Sequence, residues 1–107
     1  GLTETMLRAG LDERRAGRFA EARRCFTEAR RESPDAYLPE LLLGETEEDP
    51  RLSIEALERA AELNPRSCFA PYLLGVRLGY AGVADEAAAA LHRARSIAPS
   101  TAVSYGR

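Results

Sequence analysis

Few side chains in this sequence are suited to covalent or metal chemistry, and none of them recur at spacings that would gather them into a site. His92 is the only histidine. Helical periodicity puts it on a solvent-facing side beside Arg93, where it reads as an inert surface residue. Cys25 and Cys68 form no C-x-x-C pair and no Cys/His cluster. Two partly buried, reduced thiols are expected from them, rather than a disulfide or a metal site. All 15 basic residues are Arg, so no Gly-rich loop carries a phosphate-binding Lys, and G-x-S-x-G is absent. Glu47/Glu48 and Asp85/Glu86 are adjacent carboxylates at expected helix boundaries, where acids favour a helix start through its dipole. The expectation is of no enzyme, no cofactor and no metal.

What remains is the chemistry of apolar surface and charge. The 107 residues are 45% hydrophobic and 30% charged, the balance of a folded globular chain of one domain. A chain of this size buries roughly 65% of its unfolded surface, enough for one thin core. A net charge of −2 argues against nucleic acid as a partner, since phosphate binding needs a cationic face. The longest aliphatic run is Leu41 to Leu43, far short of the roughly 20 residues of a membrane span. The Arg-only, Ala-rich composition suggests a GC-rich bacterial source. The chain opens Gly1-Leu2-Thr3 with no Met or signal segment. An excised fragment or a processed chain is therefore expected, and, with reduced cysteines and no signal segment, a cytoplasmic location.

Elements that could position such a surface show up as an internal repeat. Pro34, Pro65 and Pro99 end helical patterns and stand 31 and 34 residues apart. Gly17, Phe19, Ala22, Phe26 and Ala29 precede Pro34 at the same distances at which Gly82, Ala84, Ala87, Leu91 and Ala94 precede Pro99. Leu57 and Ala60 keep these distances before Pro65, with Ser53 where the other units have Ala. Small residues at Gly10, Gly44 and Gly75 would let one helix of a pair approach the other, and Phe26, Leu57 and Leu91 would be the knobs between them. Gly17 and Gly82 mark turns, and proline closes each pair. The middle unit is three residues short and lacks the turn glycine, but Asp49-Pro50 gives it an N-cap followed by a first-turn proline.

This pattern resembles the tetratricopeptide repeat, whose 34-residue unit reads approximately W-x2-L-G-x2-Y, Gly, A-x3-F-x2-A-x4-P. The resemblance covers nearly all of residues 3–101 and implies an all-α, right-handed α-α superhelix (a solenoid) of three helix-turn-helix repeats. Repeats are expected at 3–36, 37–67 and 68–101 with a tail at 102–107, and helices at 3–16, 19–32, 36–47, 50–63, 67–81 and 84–97. Pro39 and Pro71 are tolerable only in a first turn, placing those helix starts near Tyr37 and Ser67. Arg30 and Arg95 stand where this family usually has an apolar residue contacting the next repeat. At Arg95 that suits an array that ends there; for Arg30 the sequence offers no account.

In this family the first helices line a concave groove that binds peptides. The best-known clamp for acidic chaperone tails uses Lys, Asn or Arg at five positions, which here carry Leu7, Leu11, Leu42, Phe69 and Leu73, so that clamp is rejected. The resemblance instead implies an apolar groove for a protein or peptide segment, with Leu7, Leu11, Leu38, Leu42, Phe69, Leu73 and Val76 as its contact residues. Leu41 and Tyr72 belong to the same run. The units carry net charges of +1, −5 and +2, with the acids densest at Glu45, Glu47, Glu48 and Asp49. That corner is expected to be either solvated or an acidic patch for a basic partner, including the Arg-rich first repeat of a second copy in a homodimer. Self-association and a regulatory or targeting segment of a larger enzyme are the alternatives to the groove.

Overall fold

The computed structural model describes residues 1–97. They form six α-helices: α1 (Leu2–Arg15), α2 (Phe19–Glu32), α3 (Tyr37–Thr46), α4 (Pro50–Leu63), α5 (Phe69–Tyr80) and α6 (Ala84–Ile97). There is no strand among the described residues. Pro99, the end of the third repeat and the tail expected at 102–107 lie outside them.

Local chemistry sets most of the boundaries. Gly17 and Gly82, in the two full-length turns, have φ of 82° and 83°, a region L side chains rarely enter. The middle turn has no such glycine. There the Asp49 carboxylate accepts from the Arg51 amide at 2.9 Å and Pro50 opens α4, so side-chain capping replaces backbone freedom. Pro39 and Pro71 lie in the first turns of α3 and α5, where no intrahelical donor is lost. α5 begins two residues later than expected, at Phe69. Residues 64–67 instead make a turn, with the Ser67 amide bonded to the Asn64 carbonyl, and the Ser67 hydroxyl accepts from the Phe69 amide.

The helices pack mainly as the pairs α1–α2, α3–α4 and α5–α6, with α2–α3 and α4–α5 contacts joining the pairs into a stack. A Cβ at Gly10 would fall 2.7 Å from Cδ1 of Phe26, one at Gly75 would fall 2.6 Å from Cγ of Leu91, and one at Gly44 would collide with Leu57. Those three knobs therefore sit against the bare backbone of the facing helix. One apolar cluster joins Leu7, Phe26, Leu42, Leu43 and Ala56; the next joins Leu41, Leu57, Ala60, Leu74 and Ala87. Helix α3 supplies both, and from Pro39 to Gly44 every residue is buried. Phe26 and Leu57 are fully buried. Leu91, expected to be equally deep, is only half-buried. Helix α6, on which it lies, is the last described helix and packs chiefly on α5.

The shortened middle unit leaves α3 ending at Thr46, and its last four carbonyls have no helical donors. Each finds another. Leu43 accepts from the Glu47 amide at 2.8 Å, and Gly44 from the buried Ser53 hydroxyl at 2.6 Å. Glu45 accepts from Arg77 Nη2 at 2.9 Å, and Thr46 from Arg23 Nη1 at 3.4 Å. These donors come from the cap itself, α4, α5 and α2, so the truncated helix end is tied to all three units. Two of them are guanidiniums, the charge that suits the negative end of a helix dipole.

Candidate partner-binding groove

The first helices α1, α3 and α5 are joined along one side through Glu45. Its carboxylate Oε1 lies 3.8 Å from Arg14 Nη1 on α1, and its carbonyl receives the Arg77 hydrogen bond from α5.

The structure divides the expected contact residues. Leu38 is 50% exposed and Phe69 45%, while Leu11, Leu73 and Val76 are half-buried. Leu11 packs on the first apolar cluster and Leu73 on the second, so each presents only part of its surface. Leu7 and Leu42 have to be withdrawn as contact residues. Both are buried in the cluster around Phe26. Helix α3 is short and covered by α2, α4 and α5, which leaves Leu42 no open side. Tyr72, 53% exposed on α5, and Tyr80, 88% exposed at that helix's end, add aromatic surface. Tyr80 was missed because its place beyond the last motif residue carries no repeat signal. Tyr37, at the start of α3, pairs its hydroxyl with that of Ser67, and burial pushes its ionisation up.

The acidic corner is partly committed to the fold. Asp49 caps α4, and Glu47 Oε1 accepts from the Asp49 amide at 3.4 Å. Glu45 faces Arg14, and Glu48 lies 4.0 Å from Arg23. Two of the first-repeat arginines that might have met a second copy's corner thus meet their own. Pairs this exposed contribute little stability, but they lower the charge the corner offers to a partner. Arg30, unexplained from sequence, reaches Glu40 of the next repeat at 3.6 Å. Glu40 itself passed unnoticed in the sequence. The available signal was its register: four residues before the helix-contact glycine the other units have Met6 and Pro71.

His92 is exposed, and Cys25 and Cys68 are free and half-buried. Burial, helped by the Glu13 and Glu21 carboxylates, pushes the Cys25 thiol up and holds it protonated at neutral pH. Among the described residues no group of three His, Cys, Asp or Glu side chains could hold a metal, and no helix is long and apolar enough to cross a membrane.

No protein-family model and no curated protein matches the sequence. Solved structures do. MamA superposes with a TM-score of 0.86 and 26% identity, over 91% of this chain and 58% of the MamA chain. SycD, the Yersinia enterocolitica type III secretion translocator chaperone, gives 0.87 and 18% over 92% of this chain and 76% of its own. The second TPR of Spaghetti (RPAP3), bound to the HSP90 peptide SRMEEVD, gives 0.86 and 13% over 90% and 92%. The fold is that of a tetratricopeptide-repeat solenoid. Among the described residues the fold has three helix pairs, the middle one shortened, and the chain spans little more than half of MamA.

Proposed function

We propose that this tetratricopeptide array is a protein-interaction scaffold that holds an apolar segment of a partner polypeptide across α1, α3 and α5. One observation carries the reading. Leu38, Phe69 and Tyr72 stay about half exposed on the first helices of two successive repeats, with Leu73 and Val76 beside them. Large apolar side chains left in water at adjacent positions of a repeating face favour a partner that removes them from it. The solved neighbours support the general role: one is a secretion chaperone and one holds a peptide. That peptide, SRMEEVD, is acidic, whereas the positions that would clamp an acidic tail are Leu and Phe here. The proposed ligand is therefore apolar, an amphipathic helix or an extended strand with hydrophobic anchors. We place the protein in a reducing compartment, the cytoplasm, a reading supported by its two free cysteines.

Phe69→Glu and Tyr72→Glu change exposed positions and should abolish partner capture while helical content is kept. Leu11→Glu should do the same, but Leu11 packs on the core, so its fold must be verified separately. Reversing Glu47 and Glu48 to Arg should alter association rate more than affinity, as rim charges do. Capture that survives the groove variants but fails with the acidic-corner variant would move the site to the corner.

A further inference from the structure

Among the described residues Glu40 is the only acid or base that is fully buried, and its hydrogen bonding is incomplete. Arg59 Nε donates to Oε2 at 3.3 Å. Arg30 Nη1 lies 3.6 Å from Oε1, within ion-pair range but too far to donate, and Oε1 has no hydrogen-bond partner. An ionised carboxylate offers about four acceptor positions, so most of this buried anion's capacity is unused. Such a group is expensive to bury unless further donors reach it.

Room for those donors lies alongside. A cavity of about 130 Å³ opens between α2 and α4 over the back of α3, on the side of the second helices and away from the groove. About 10–15 Å³ measured in this way holds one water, so the space takes a group several times larger. Its charged lining is three carboxylates, Glu40, Glu47 and Glu55, against the two guanidiniums of Arg30 and Arg59. Both arginines already face Glu40, the unmet atom is an acceptor, and the middle unit carries a net charge of −5. Each of these favours a cation over an anion. The remaining wall is aliphatic: Leu43 and Ala56 are buried, and Leu52 is 41% exposed. Aliphatic walls above a buried carboxylate suit a hydrocarbon stem that ends in a positive head.

We infer that this cavity receives one basic side chain, lysine or arginine, from a partner polypeptide. The ammonium or guanidinium donates to Glu40 Oε1, Glu47 and Glu55 line its entry, and the stem lies along Leu43, Leu52 and Ala56. The cavity is a second contact surface, separate from the groove, and would hold a basic residue of a partner whether or not the groove is occupied.

The test is a ¹H–¹⁵N titration of the full chain with Nα-acetyl-lysine methylamide and Nα-acetyl-arginine methylamide. Nα-acetyl-norleucine methylamide, a neutral copy of the stem, and inorganic sulfate are the controls. At least one cation should give saturable shifts at Thr27, Leu43 and Ala56 in the low-millimolar range, and neither control should. Glu40→Gln should weaken binding by at least roughly tenfold, the loss of a charge-assisted hydrogen bond. A Glu47→Gln/Glu55→Gln variant, altered only at accessible positions, should weaken it severalfold even if Glu40→Gln folds poorly. Equal shifts with norleucine, stronger shifts with sulfate, unsaturable shifts spread over the surface, or unchanged binding in folded Glu40→Gln would each overturn the proposal.

Discussion

Ser53→Ala should destabilise this protein although alanine fits the site. The same register position is Ala22 in the first repeat and Ala87 in the third, both buried, so no clash or sizeable cavity is created. What is lost is a donor. The Ser53 hydroxyl, itself fully buried, bonds the Gly44 carbonyl at 2.6 Å. That carbonyl's helical partner would be the Glu48 amide, which lies beyond the end of α3. In the first repeat α1 continues to Arg15, so the Gly10 carbonyl keeps its partner in the helix. Leaving one buried acceptor unsatisfied costs about 1–3 kcal/mol. For a domain near this size each kcal/mol lowers Tm by roughly 4–8 °C. Thermal unfolding followed by circular dichroism reads the change directly, and Ala22→Ser, where no carbonyl is waiting, should bring no gain. A Ser53→Ala protein melting within a degree or so of the parent would refute the claim that the shortened repeat depends on this bond.

Phe26→Ala and Leu57→Ala should each cost about 2–5 kcal/mol in denaturant unfolding, and half-buried Leu91→Ala clearly less; equal losses at all three would contradict the observed burial. Arg30→Ala and Arg59→Ala should be mild singly, because either guanidinium can serve Glu40. Together they should cost about 3–5 kcal/mol by stranding a buried charge, and adding Glu40→Gln should restore most of it. Additive single effects with no rescue would rule out Glu40 as the common partner. Cys25, its thiol pushed up by burial, should alkylate more slowly at neutral pH than free cysteine, with the rate climbing as pH rises. Mass-spectrometric rates matching free cysteine would show the thiol to be more open than its packing indicates.

The repeat was legible because it is written in covalent preferences: glycine at close approaches, proline and an N-cap at helix starts. The boundaries of α2, α4 and α6 follow from those signals directly. Depth within the stack was less legible. Leu7 and Leu42 share helical spacing with Leu11 and Leu38, and only the packing of neighbouring helices around each residue separates core from surface. The depth of Leu91 likewise depends on what packs beyond α6, which no local pattern encodes. Long-range polar pairing was illegible altogether. Arg30 looked like a misplaced charge until Glu40, 10 positions on, appeared beneath it. Ser53 looked like a weak alanine until the missing turn exposed the Gly44 carbonyl.

The central claim is that the face of α1, α3 and α5 is the working surface. Site-specific photocrosslinking in the cell tests it most directly. A benzoylphenylalanine replaces Tyr72 or Leu38 on that face, and Ala88, exposed on α6, as the reference. Discrete crosslinked partner bands should form at Tyr72 and Leu38, disappear with Phe69→Glu, and be absent at Ala88. Partner bands at Ala88 with none at Tyr72 or Leu38 would contradict the account.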